Sequence, residues 1–202
     1  MIFDAIVLAG GRASRLDGVS KAELVVEGRS LLSRSLDAVV AARRIIVVGT
    51  PVSVPAGVLV TREEPPFGGP AAAIGAGLDA LGIASSHEYV LLLACDVPNS
   101  ALAVDTLLTL ADEGADGVLA IDAAGRRQPL LGLYRSGPLA AAVRGRGSDI
   151  QNLSVHALLS PLDLGEIRVP EGSTEDIDTW ADAASFGVAP SQVDPPRRKD
   201  TP

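Results

Sequence analysis

Residues 6–21 read Ile6-Val7-Leu8-Ala9-Gly10-Gly11-Arg12-Ala13-Ser14-Arg15-Leu16-Asp17-Gly18-Val19-Ser20-Lys21. Four apolar residues, the pattern of a strand buried on both faces, run straight into paired glycines. Arg12, Arg15 and Lys21 follow within the same loop. Glycines let backbone N–H groups approach a phosphate closely, and fixed cations add to the attraction. The spacing is neither G-x-x-x-x-G-K-[ST] nor G-x-G-x-x-G, so the P-loop and dinucleotide fingerprints are both excluded. A plain surface turn is the alternative, and the coincidence of cations with glycines favours an anion site.

The same strand pattern recurs along the chain. Ile45–Val48, Val58–Val60, Tyr89–Ala94 and Gly117–Ile121 are short apolar runs ending near Gly, Thr or Asp, and Gln128–Tyr134 and Asp163–Val169 predict later strands. Helical patterns lie between them at Ser30–Ala42, Pro70–Leu81, Ala101–Glu113, Gly137–Val143 and Asn152–Leu159. Ser30 and Ser100 suit N-caps, and Pro70 suits a first helical turn. Alternation of this kind predicts an α/β fold: a single three-layer, doubly wound domain over 1–186 with a mostly parallel, mixed sheet. From Gly187 to Pro202 the chain carries four prolines, three basic and two acidic residues without apolar periodicity, which predicts a disordered C-terminal tail over 187–202.

Composition narrows the function. Of 202 residues, 47% are hydrophobic and only 3% aromatic, so the core must be aliphatic. No apolar stretch approaches the ~18 residues of a membrane span. The net charge of −8 has the wrong sign for a non-specific nucleic-acid binder. The single Cys95 and the absence of a basic, signal-like run before the first strand make the cytoplasm the expected compartment.

Ligands of an open parallel sheet bind beyond the carboxyl ends of its strands, which directs attention to three further loops. Ala94-Cys95-Asp96-Val97-Pro98 places a carboxylate at the tip of a strand, where it can bind Mg²⁺ or, more plainly, cap a helix. Arg62–Pro70 leads into a helix rich in Ala and Gly that can lie close to a flat ligand or pack tightly on the sheet. In Glu175-Asp176-Ile177-Asp178-Thr179-Trp180, extended backbone would turn Asp176 and Asp178 to one side, toward a metal site completed by Asp96. Capping of the last helix by Asp178 or Thr179 is an equal alternative. Neither His87 nor His156 sits in a candidate loop, Cys95 reads as a packing residue, and Trp180 as the anchor of the last helix.

In order, these pieces resemble the molybdenum cofactor guanylyltransferases of the wider nucleotidyltransferase superfamily. Their signature L-A-G-G-x-S-x-R-M-G-x-D-K corresponds to Leu8-Ala9-Gly10-Gly11 with Arg15 and Lys21. An acidic residue before G-P-L-A-G corresponds to Glu63 with Gly69-Pro70-Ala71-Ala72-Ala73, and C-D-x-P to Cys95–Pro98. Q-P-L-x-x-L-Y matches Gln128–Tyr134, S-V-x-x-L-L matches Ser154–Leu159, and N-x-N-T-P-E-D corresponds to Asp176–Asp182. The resemblance spans about 3–186. Departures are Ser20 for Asp, one extra residue between Arg15 and Lys21, Glu63 for Asp, and Asp176 and Asp178 for asparagines. The paired aspartates occur in relatives that use CTP, whereas those relatives carry L-A-A-G and lack G-P-L-A-G.

The resemblance implies a Rossmann-like nucleotidyltransferase fold and transfer of GMP from GTP to the terminal phosphate of molybdopterin, with release of pyrophosphate. It implies Arg15, Lys21 and Asp96 as catalytic residues. Leu8, Ala9, Gly10, Gly11, Arg12, Lys21, Glu63, Gly69 and Pro70 would hold the nucleotide, and Asp96 with Asp178 the Mg²⁺ cofactor. Its partners would be GTP, molybdopterin or molybdenum cofactor, and proteins that insert or accept the cofactor, with no nucleic acid or membrane. Alternatives are a CTP-dependent cytidylyltransferase, a sugar-phosphate nucleotidyltransferase, and a non-catalytic nucleotide-binding homologue.

Overall fold

The computed structural model describes residues 1–10, 16, 19–50, 53–82, 89–111 and 115–189. Its seven-stranded sheet has the order β5-β4-β1-β6-β8-β7-β9. The strands are β1 (Phe3–Ala9), β4 (Ile45–Gly49), β5 (Val58–Thr61), β6 (Tyr89–Ala94), β7 (Gly117–Ile121), β8 (Arg127–Arg135) and β9 (Leu164–Arg168). All neighbours are parallel except those of β8, which runs antiparallel to both β6 and β7. The mixed, mostly parallel α/β sheet expected from the apolar runs is therefore present. Each central strand feeds two cores. Phe3, Ala5 and Val7 of β1 and Leu91 and Leu93 of β6 meet α1 (Leu31–Ala38) and α3 (Ser100–Leu110) on one face. Ile6, Leu8, Val90 and Leu92 meet α2 (Gly69–Leu81), α4 (Ser136–Arg144) and α5 (Val155–Leu159) on the other.

Several local expectations change. The helix expected to reach Ala42 ends at Ala38, although Ser30 caps it by accepting from the Ser33 N–H at 3.1 Å. Asn99, not Ser100, occupies the N-cap of α3, and the buried Ser100 hydroxyl finds no hydrogen-bond partner among the described residues. The segment expected helical from Asn152 shortens to α5, with Ser154 as its cap. A two-stranded hairpin, β2 (Val25–Val26) and β3 (Arg29–Ser30), has no counterpart in the sequence reading. It turns at Glu27 and Gly28, both at positive φ, a pair of angles suited to the twist of hairpin strands. Asp4 is buried at the far end of β1. Burial alone would raise its carboxyl, but hydrogen bonds from Arg44 and Arg43 hold it below the ordinary range.

A third, smaller apolar cluster ties the ends of the chain together. Leu16, Val19, Leu24, Val26 and Leu31 pack with Ile177, Ala183 and Val188, joined by the partly buried Trp180 and Phe186. It seats α6 (Trp180–Ser185) beneath the first loop. Val188 is buried and its N–H donates to the Ala183 carbonyl, whereas 190–202 lie outside the described residues.

Candidate active site

Strand order changes direction between β1 and β6: β4 and β5 continue from β1 on one side, and the chain then returns to the other. Such a switch point leaves the loops after two parallel strands side by side, opening a crevice between them. Leu8 pairs with Ala94 across this boundary, and the Cys95 N–H donates to the Leu8 carbonyl at 3.0 Å. Gly10 and Asp96 are thereby brought to the same edge. Gly49 at the end of β4 closes the other flank. A Cβ there would lie 2.7–2.9 Å from the backbone of Ala9 and Gly10, so only glycine admits this approach.

One cavity of about 330 Å³ is lined by Leu8, Gly10, Lys21, Glu63, Gly69, Pro70 and Asp96. This volume lies within the range of small-molecule sites. The structure thus gathers residues from three separated loops. Gly11, Arg12 and Arg15 lie outside the described residues, and Ala9 ends β1 without lining the cavity. The Arg62–Pro70 loop is folded on itself: the Phe67 N–H donates to Glu63 Oε1 at 3.0 Å, and the Arg62 guanidinium lies 5.4 Å from the centre of the Phe67 ring. The Asn152 N–H donates to the Gly68 carbonyl at 2.7 Å, anchoring this loop from the far half of the chain.

Lys21 stands on a 3-10 turn (Lys21–Glu23) and reaches across the cavity edge. Its Nζ donates to Asp96 Oδ2 at 2.9 Å and also to Asp178 Oδ1. The tertiary reason is the C-terminal segment. The Ile177 N–H donates to the Asp96 carbonyl at 2.9 Å, and the Ile177 side chain is buried in the third cluster. That anchoring brings Asp176 and Asp178 to Asp96, and one carboxylate oxygen from each of the three lies within 4.8 Å of the others. Thr179 caps α6 in a reciprocal capping box with Asp182, so the cap does not consume Asp178.

The electrostatics follow from this crowding. Burial works to lower the Lys21 ammonium, but the charge of Asp96 and hydrogen bonds to both aspartates outweigh it and raise the group above its ordinary value. Asp176 is raised by burial first and then by its like-charged neighbours Asp178 and Asp96. The Cys95 thiol is pushed up to about 12 by burial and by Asp96, so it stays protonated at neutral pH and serves as packing. Three carboxylates with hard oxygen donors suit a divalent ion such as Mg²⁺, and Asp176 joins the expected pair.

Asp96 also borders a second cavity of about 330 Å³, with Gln128, Ser154, His156, Thr174 and Asp176 in its wall. Pro70, Ala94 and Leu130 are shared by both cavities. The sequence reading left His156 outside every candidate loop. The segments Gln128–Tyr134 and Ser154–Leu159 stood out in the sequence only as matches to family patterns, and antiparallel β8 and α5 bring them to one wall of this second space.

The MobA-like NTP transferase domain model matches residues 5–159, well over half of the chain. Solved structures of similar fold include molybdopterin-guanine dinucleotide biosynthesis protein A from Archaeoglobus fulgidus, at TM-score 0.68 and 18% identity over 91% of this chain and 96% of that one. A nucleotidyl transferase from Methanothermobacter thermautotroptrophicus gives 0.70 and 20% over 92% and 95%. The 2-C-methyl-D-erythritol 4-phosphate cytidylyltransferase from Thermus thermophilus gives 0.66 and 17% over 92% and 97%. At these identities the likeness is one of fold. No curated protein sequence matches the chain. Among the described residues, no helix is long and apolar enough to cross a membrane.

Proposed function

The chain belongs to the MobA-like NTP transferase domain family, and on that footing we propose that it moves GMP from GTP onto the terminal phosphate of molybdopterin. In this reaction an oxygen of the acceptor phosphate forms a bond to the α-phosphorus of GTP. The α–β phosphoanhydride bond breaks, and pyrophosphate leaves with the electron pair. Such transfers depend on placement and on stabilising charge rather than on a nucleophilic side chain.

The observation that carries the reading is the junction at Asp96. Two cavities meet there, one bordered by the Gly10 loop and Lys21, the other by β8 and α5. GTP occupies the first, with the backbone from Gly10 into Gly11 and Arg12 against its phosphates and Arg15 near the outer ones. Leu8, Glu63, Gly69 and Pro70 line the space for the nucleoside. The pterin phosphate enters the second, so donor and acceptor approach from opposite sides of one carboxylate. Asp96, Asp178 and Asp176 would hold Mg²⁺, which when bound neutralises triphosphate charge and favours pyrophosphate departure. Lys21 exchanges its carboxylate partners for the α-phosphate and stabilises charge there. The protein works in the cytoplasm and delivers its product to proteins that carry the cofactor.

The paired aspartates favour one second reading, transfer of CMP from CTP to the same acceptor. Purified protein with Mg²⁺ and molybdopterin, assayed for pyrophosphate with GTP, CTP and ATP in turn, separates them. GTP is expected to give the fastest release. A preference for CTP overturns the guanine assignment, and no release with any nucleotide overturns the transferase reading.

A further inference from the structure

The chain has three Phe, two Tyr and one Trp. Phe3, Tyr89 and Tyr134 are buried, and Phe186 and Trp180 are partly buried in the third cluster. Phe67 alone among the aromatics is a large exposed side chain, at 50%. It lines the first cavity, next to Leu8 and Pro70. Its backbone sits at φ +65°, a conformation that non-glycine residues rarely adopt and that the following Gly68 or Gly69 could supply more easily. The contacts that hold it there include its N–H on Glu63 and the Arg62 guanidinium over its ring. In a chain so poor in aromatics, this exposed phenyl is kept in an unfavourable backbone conformation at a cavity wall rather than in any of the three core clusters. Strained residues concentrated at ligand sites are the recurrent physical pattern.

From these observations we infer that Phe67 is the platform on which the nucleotide base stacks. The inference rests on the proposed nucleotide site and names a residue outside the motifs that suggested it. A phenyl face offers dispersion and desolvation to any planar base, and more to a purine than to a pyrimidine because the overlap is larger. Arg62 positions the ring from outside the cavity, and Glu63 positions it through the backbone. Phe67 is thus a binding residue that sets affinity for the base and leaves the phosphates to the glycine loop.

The test compares GTP with inorganic tripolyphosphate, which lacks a base, by calorimetry in Mg²⁺. Phe67→Ala is expected to weaken GTP about 10- to 100-fold, the scale of losing one stacking contact, and to change tripolyphosphate binding less than about threefold. Phe67→Tyr is expected to keep wild-type affinity. Phe67→Gly, which removes the ring and relieves the backbone, is expected to lose GTP affinity with no fall in Tm, whereas a packing role would lower Tm. The indole of Phe67→Trp is expected to be quenched by GTP. Unchanged GTP affinity in Phe67→Ala, or equal losses of GTP and tripolyphosphate, overturns the platform while leaving the nucleotide site intact. Failure of wild-type protein to bind any nucleoside triphosphate overturns both.

Discussion

Replacing Lys21 by alanine removes the only cation the described residues place among Asp96, Asp176 and Asp178. Carboxylate oxygens within 4.8 Å of one another then lose the charge of its ammonium. At an effective dielectric constant of about 20, two unit charges at this distance repel by about 3.5 kcal/mol. The side chains of Lys21, Asp96 and Asp178 are 23%, 22% and 43% exposed, so solvent screens much of this. A net loss of about 1–2 kcal/mol is expected near neutral pH, which for a chain of this size lowers Tm by roughly 2–8 °C. The sign of the pH dependence follows from the shifts. Lys21 is raised, so its contribution is complete below its unfolded value of 10.5 and disappears as pH rises through the higher folded value. Asp176 is raised, so its ionisation costs stability above the ordinary carboxylate range, and without Lys21 that cost grows. The difference in Tm between wild type and Lys21→Ala is therefore expected to be widest between about pH 6 and 10 and to shrink at lower pH as Asp176 protonates. The vacated cluster is also expected to bind Mn²⁺ about 5- to 30-fold more tightly without nucleotide, the same 1–2 kcal/mol read as affinity. Calorimetric melts across pH and a Mn²⁺ titration by electron paramagnetic resonance check both. A pH-independent difference in Tm together with unaltered Mn²⁺ affinity would show that Lys21 does not neutralise these carboxylates.

Three other perturbations probe separate parts of the design. Asp96→Asn keeps shape and loses charge, so the Mg²⁺ concentration for half-maximal turnover is expected to rise about 10- to 100-fold; normal turnover at low Mg²⁺ would move the metal away from Asp96. Gly49→Ala drives a Cβ into the backbone of Ala9 and Gly10 and is expected to cost more than about 1 kcal/mol and to weaken nucleotide binding, both measurable in one set of ligand-dependent melts. Truncation after Ala189 is expected to leave Tm unchanged. Truncation after Phe186 removes the buried Val188 and is expected to cost about 1.5 kcal/mol, so equal melts for the two would show that Val188 adds nothing to the third cluster.

Local patterning was enough to settle the layers of the fold. Val-, Leu- and Ile-rich runs such as Tyr89–Ala94 can be buried only from both sides, and helices between them enforce a mostly parallel sheet. Ser30 and Pro70 were legible because capping and first-turn preferences act within a few residues. The Glu27-Gly28 hairpin escaped because its strands are only two residues long, too short to show a period. Whether Asp178 caps the last helix or faces Asp96 could not be decided locally, since either placement suits the same residue. Tertiary structure placed it beside Asp96 through Ile177, whose backbone bonds to Asp96 and whose side chain enters a cluster built from early and late segments of the chain. The same holds for Gly49, whose constraint is the backbone of another strand, and for His156, brought beside Asp96 with the β8 wall of the second cavity. Periodicity and capping are short-range and leave their mark on neighbouring letters; charge balance among Lys21, Asp96 and Asp178 spans up to 157 residues and exists only once the sheet has brought them together.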